Sequence, residues 1–223
     1  MKVTALIAAF NEEGSIETVV RGTRAQVADV VVVDDGSTDR TAERAERAGA
    51  VVLRHAANHG KGVAVRSGLD RVLAGDSTHV LFIDGDGQHD VADIPLLIER
   101  ARSGAGDFVV AERSFVKQGM PTARFYANTI GSRILSCLIG TQVRDSQSGF
   151  RLIRTDLLRA VTLDARRYEI ETEILIKLAR RGAHIEQVTV VATYGTIQSK
   201  MRPVRDVFRI CMRAVRYRYL AGE

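Results

Sequence analysis

The chain has 223 residues, of which 45% are hydrophobic and 26% charged, with a formal net charge of +5. This suits one soluble globular domain, or one domain with an extension. No run is long and apolar enough to cross a bilayer, and the first ten residues are too short for a signal peptide.

Residues 2–10 read as a strand containing Val3, Leu6 and Ile7, and Asn11-Glu12-Glu13-Gly14-Ser15 ends it and opens a helix to about Gln26. Residues 29–33 form a second strand, too apolar for an exposed edge. Asp34-Asp35-Gly36-Ser37-Thr38-Asp39 follows, with Ser37 or Thr38 as N-cap of a helix through Ala48. Gly49 stops that helix, and residues 50–54 make a third strand. Asn58-His59-Gly60-Lys61-Gly62 then leads into a helix to about Ala74. Thr78 to Ile83 is an apolar, partly β-branched strand, and it runs into Asp84-Gly85-Asp86-Gly87-Gln88-His89-Asp90. A helix over 92–102 and a strand over 107–111 complete this half.

Past residue 112 the pattern changes. Pro121 to Ile139 reads as a helix, and Arg144 to Phe150 as a polar loop leading to Arg151-Leu152-Ile153. A short helix near 155–161 follows. A longer one over 168–181 has acids early and arginines late, as the helix dipole favours. Ile185 to Ala192 is a strand and 194–200 a loop. Pro203 opens a final helix with Val204, Val207, Phe208, Cys211 and Val215 on one face and Arg205, Arg209, Arg213 and Arg216 on another. That helix either packs on the domain or lies at a membrane surface. The basic C-terminus suits anionic lipid or solubility, and with no aromatic-interleaved RNA motif nucleic acid ranks last. Cys137 and Cys211 read as reduced core thiols of a cytosolic protein.

Strands alternating with helices imply βαβ units and a mostly parallel, Rossmann-like α/β sheet. Ligands gather beyond the carboxyl ends of such strands, which puts Asn11, Asp34, Asp35, Asp84 and Asp86 on one edge. Charges at the end of a buried strand need a partner, and a bound divalent cation, magnesium or manganese, is one. The alternative for Asp84 and Asp86 is a turn with solvated acids. Asp34 and Asp35 are either a turn and cap or acceptors for a nucleobase or ribose. The 58–62 loop is a plain helix start, or Lys61 and its amides meet phosphate. His89 suits contact behind a metal ligand better than a direct bond. Asp145, in its loop, belongs to a turn or acts as a base for an acceptor. Glu169, Glu171 and Glu173 read as a solvated helix face.

In this order, Ala8 to Glu13, Val33 to Asp39, Asn58 to Gly62, Asp84 to His89, Asp145 to Phe150, Glu169 to Glu173 and Ser199-Lys200 resemble family 2 glycosyltransferases of the GT-A fold, and within them the dolichyl- and polyprenyl-phosphate hexosyltransferases. The resemblance implies a GT-A domain over 1–202, with a nucleotide-sugar half to 112 and an acceptor half from 113, followed by the basic amphipathic helix 203–223. It implies that Ala9, Asn11, Glu13, Asp34, Asp35, Lys61, Asp84 and Lys200 bind the nucleotide sugar. Asp84, Asp86 and Gln88 would hold magnesium or manganese, and Asp86 and Asp145 would be catalytic. Arg113, Arg124 and Arg133 would meet an acceptor phosphate. The expected reaction moves a hexose from a nucleotide sugar to a lipid phosphate; the alternatives are a sugar hydroxyl acceptor or a nucleotidyltransferase. The expected setting is cytoplasmic, peripheral at the inner face of the cell membrane through 203–220.

Overall fold

The structure is a computed structural model that describes residues 1–104, 106–113 and 122–190, with backbone alone over 122–128. Lys200, Cys211, the Arg124 side chain and the 203–223 helix lie outside the described residues.

In chain order the elements are β1 (Val3–Ala9), α1 (Ile16–Arg24), β2 (Asp29–Asp34), α2 (Thr41–Arg47), β3 (Val51–Arg54), α3 (Lys61–Leu73), β4 (His79–Phe82), a 3-10 turn (Val91–Asp93), α4 (Ile94–Arg102), β5 (Phe108–Arg113), α5 (Thr122–Ile139), β6 (Arg151–Arg154), α6 (Thr155–Arg159), α7 (Ile170–Arg180) and β7 (Ile185–Val190). The seven strands form one sheet in the order β3-β2-β1-β4-β6-β5-β7. β1 pairs in parallel with β2 and β4, β2 with β3, and β5 with β7.

Strand periodicity of two divides the core. Leu6, Val31, Val33, Val80 and Phe82 face one layer with residues of α3, α5, α6 and α7. Ile7, Val30, Val32 and Leu81 face the other with residues of α1, α2 and α4. Both faces are covered, so β2 is an unbroken valine run rather than an alternation. α3 buries Gly62, Ala64, Val65, Gly68, Leu69 and Val72, the three-and-four spacing of a helix laid on a sheet.

β6 departs from the parallel rule. It lies antiparallel between β4 and β5, with Phe82 opposite Arg151 and Val110 also opposite Arg151. An antiparallel strand begins where its neighbours end. The loop entering β6 therefore arrives at the carboxyl ends of β4 and β5.

Three local expectations need correction. Neither Ser37 nor Thr38 caps α2, because the Ser37 hydroxyl accepts from the Asn11 amide at 2.9 Å and the Thr38 amide donates to Asn11 Oδ1 at 2.9 Å. α2 starts later, at Thr41, whose amide donates to Asp39 Oδ1 at 2.9 Å. Cys137 is exposed on α5 rather than in the core. Glu169, Glu171 and Glu173 are buried, at 4%, 6% and 0% exposure, not a solvated face. Among the described residues no helix is long and apolar enough to cross a membrane.

Candidate active site

Four loops meet at the carboxyl ends of β1 to β4, and hydrogen bonds tie them together. Ala9 ends β1, is buried, and its carbonyl accepts from the Asp35 amide at 2.9 Å. Asn11 takes a left-handed φ of 53° and holds the 37–38 turn through its amide and side chain. The left-handed region disfavours most side chains but tolerates asparagine, which bonds its surroundings locally. Glu13 receives the Arg40 amide at 3.3 Å, and its own carbonyl accepts from Arg44 at 2.6 Å. The Ser15 hydroxyl donates to the Gly85 carbonyl at 2.7 Å, so the start of α1 steadies the turn between Asp84 and Asp86.

Asp34 and Asp35 are buried and differ in occupation. Asp35 organises the loop after β3: its carboxylate accepts from the His59 amide at 3.1 Å and the Gly60 amide at 2.8 Å, and meets His55 Nδ1 at 2.7 Å. His55 Nε2 in turn meets the Ser67 hydroxyl at 3.1 Å. Gly60 has φ 99°, and a Cβ there would stand 2.6 Å from the Arg166 carbonyl oxygen, so this corner demands glycine. Asp34 accepts from the Ser37 amide through Oδ1 at 3.1 Å. Its Oδ2 lies 3.2 Å from Arg54 Nε, close enough for an ion pair but misaligned for a hydrogen bond. Of the two acids, Asp34 is the one with a carboxylate oxygen, Oδ2, that accepts no hydrogen bond.

Asp84 follows β4 and is paired. Lys61, the first residue of α3, places its ammonium 2.6 Å from Asp84 Oδ1 and 2.6 Å from Glu171 Oε1. Burial, the largest influence, pushes the Asp84 carboxyl up, but the Lys61 charge and hydrogen bond, with the Arg113 charge beyond, together hold the group below the usual carboxylate range. Burial likewise opposes the Lys61 charge, yet Asp84 and Glu171 hold its pKa above the usual lysine range. Among the described residues no cation pairs directly with Asp86. Burial and the neighbouring Asp84 charge push it up to about 6. Its Oδ1 accepts from the Gln88 amide at 3.0 Å, which brings Gln88 round beside it. His89 is buried against Phe150, its Nδ1 lacks a hydrogen-bond partner, and burial pushes it down to about 4, so the ring is neutral at pH 7.

The second half reaches the same rim through β6. Arg113, at the end of β5, and Asp145 form a buried bidentate pair, Nε to Oδ2 at 2.6 Å and Nη2 to Oδ1 at 2.9 Å. An arginine expected at an acceptor phosphate and an aspartate expected as a base thus neutralise each other. Burial raises the Asp145 carboxyl, but Arg113 outweighs that and leaves it below the usual range, a weak base. Arg133 is exposed on α5.

Two features had little signal in the sequence. Arg151 is 2% exposed and donates to the carbonyls of Ser146 and Ser148, both at 2.7 Å, and of Glu171 at 2.6 Å. It rivets the entering loop to the start of α7. Gly149 packs against Asp84 so closely that a Cβ would stand 2.4 Å from Asp84 Oδ2. Glu171 could have been suspected, because acids at 169, 171 and 173 cannot all share one helix face.

The family described as glycosyl transferase family 2 matches residues 4–162. Glycosyltransferase AglJ of Haloferax volcanii is 32% identical over 92% of this chain and 68% of its own length. The undecaprenyl-phosphate mannosyltransferase of Micrococcus luteus is 30% identical over 85% of this chain and 83% of its own. Among solved structures, glucosyl-3-phosphoglycerate synthase of M. tuberculosis aligns with a TM-score of 0.72 at 25% identity, covering 97% of this chain and 78% of that one. The same enzyme in complex with uridine diphosphate aligns at 0.70 and 26% identity, with the same coverage.

Proposed function

Because the chain belongs to glycosyl transferase family 2, we propose that it moves a hexose from a nucleotide sugar, of the GDP-mannose or UDP-glucose type, to a polyprenyl or dolichyl phosphate, with inversion at the anomeric carbon. The observation that carries this reading is the meeting of Asp34, Asp84 and Asp86 with Lys61 on one rim, at the carboxyl ends of parallel strands. Asp34 would accept from the nucleoside, and the diphosphate would lie toward Asp84 and Asp86. Lys200 and Arg124 join the donor and acceptor sides in this reading by their place in the sequence.

The residues present fit a divalent cation. Asp84, Asp86 and Gln88 offer hard oxygen donors, which suit magnesium or manganese. Asp86 is held near pKa 6 by burial and by Asp84, a repulsion that a cation relieves. Among the described residues no three of His, Cys, Asp or Glu gather closely enough to hold an ion alone. Diphosphate oxygens and water would supply the remaining ligands of such an ion. When bound, the cation supplies positive charge opposite the departing diphosphate.

In the transfer, an acceptor oxygen forms a bond to the anomeric carbon in line as the bond from that carbon to the diphosphate breaks. A lipid phosphate is already ionised and loses no proton. That agrees with Asp145, whose carboxylate is tied to Arg113. A hydroxyl acceptor needs a base, and Asp145 would first have to leave its pair. Arg133, exposed on α5, keeps its role toward an acceptor phosphate in this reading by its place in the sequence. The relatives' names support the lipid acceptor, since one of them is an undecaprenyl-phosphate enzyme. Peripheral membrane contact through 203–220 belongs to the same reading.

The test is a screen of nucleotide sugars by thermal shift with manganese, followed by transfer of the stabilising sugar to undecaprenyl phosphate or to a free sugar. Lipid-linked product and no glycoside of the free sugar is the expected result. Transfer to the hydroxyl acceptor alone would overturn the lipid reading.

A further inference from the structure

The Lys61 ammonium occupies a site built by three separate segments: the start of α3, the end of β4 and the first turn of α7. Its side chain is 19% exposed and that of Glu171 8%. Glu171 Oε1 takes one end of the interaction, and Glu171 Oε2 is buried with no hydrogen-bond partner. Beneath the three charges lies a largely apolar pocket of about 20 Å³, lined by Val65, Phe82, Ile170 and Ile174 beside Lys61 itself. That is room for one water, or for the lysine stem to shift.

We propose that Lys61 is a resident counter-ion that makes cation binding at Asp84 conditional on the diphosphate, and that Glu171 keeps hold of its charge when Asp84 changes partners. The proposal rests on Asp84 being a cation ligand. A cation arriving alone competes with an ammonium already 2.6 Å from Asp84. If it wins, Lys61 is left with one carboxylate in a mostly buried place, and stranding a buried charge is costly. A cation arriving with a diphosphate brings anionic oxygens to the same spot. The ammonium then exchanges Asp84 for phosphate and keeps two anionic partners throughout. The spare oxygen of Glu171 can accept a further N–H from Lys61 during that exchange. Lys61 and Glu171 are positioning residues here: they set the order in which Asp84 takes its partners.

The experiment measures Mn²⁺ affinity by electron paramagnetic resonance on the full chain, alone and with saturating uridine diphosphate and guanosine diphosphate in turn. In Lys61→Met, Mn²⁺ alone binds about tenfold tighter than in the wild type, while the affinity with diphosphate stays within about threefold, so the coupling between the two ligands collapses. In Glu171→Gln, Lys61 pairs with Asp84 alone, Mn²⁺ alone binds about tenfold weaker, and the coupling grows. Equal tightening of Lys61→Met with and without diphosphate would reduce the effect to simple charge repulsion and overturn the proposal. Weakening in both conditions, as a purely structural role demands, overturns it too. Circular dichroism checks the fold; if Lys61→Met does not fold, Glu171→Gln decides, and unchanged coupling there refutes the idea. Asp86→Ala serves as the control for the underlying reading. If it binds Mn²⁺ with diphosphate as the wild type does, the metal site itself is misplaced; if it does not and the Lys61 result fails, only the counter-ion role falls.

Discussion

Asp145 shows how burial decides the role of a single carboxylate. In the sequence it is an acid in a polar loop, and a base is a fair expectation. In the structure it is fully buried and bidentate with Arg113. Asp145→Asn removes the carboxylate charge from the buried Arg113 guanidinium, and the expected loss of stability at pH 7 is about 3 kcal/mol. Its folded pKa is lowered, so the stabilisation is present above the unfolded value of 3.8 and is lost as pH falls through the folded one. The gap between wild type and variant in urea melts should hold from pH 7 to about 4 and narrow below that. A double variant, Arg113→Gln with Asp145→Asn, should recover much of the loss. A catalytic base predicts the reverse: stability kept, and turnover down by about a hundredfold or more.

At the scale of elements, β6 is what the sequence concealed. The alternation of strands and helices was legible through β5, because the valine run of β2, the apolar stripe of α3 and the Asp-x-Asp after β4 each carry a local signal. The antiparallel insertion of β6 carries none. Arg151-Leu152-Ile153 is too short to state its partners, and pairing between β4 and β5 is decided by the tertiary fold. That insertion presses Gly149 against Asp84 and lets Arg151 bind the loop to α7. Glu169 to Glu173 was misread for a related reason, since acids read as solvated until their buried partners are known. Glu173 accepts from the amides of Asp164 and Ala165, contacts invisible in the chain order, as well as from Lys177 one turn on. Gly149→Ala tests the insertion directly. The added methyl displaces the Asp84 carboxylate rather than backbone, so the melting temperature should hold while Mn²⁺ affinity in the presence of diphosphate falls by about tenfold. Unchanged affinity would mean that Asp84 does not depend on this contact.

At the scale of the molecule, two halves of one sheet bring their charged ends to a common rim. Parallel strands deliver Asp34 and Asp84 there, and the antiparallel strand delivers Asp145 and Gly149. The residues named from the sequence as donor ligands largely meet at that rim, but several serve first to hold one another: Asn11 binds the 37–38 turn, Asp35 the 58–60 loop, and Lys61 binds Asp84. The central claim is that Asp86 completes a cation site on which sugar transfer depends. The most direct measurement is donor turnover by Asp86→Ala with saturating manganese, read as release of nucleoside diphosphate in the presence of acceptor. The account predicts a fall of about a hundredfold or more with the fold intact. Turnover equal to the wild type would contradict it.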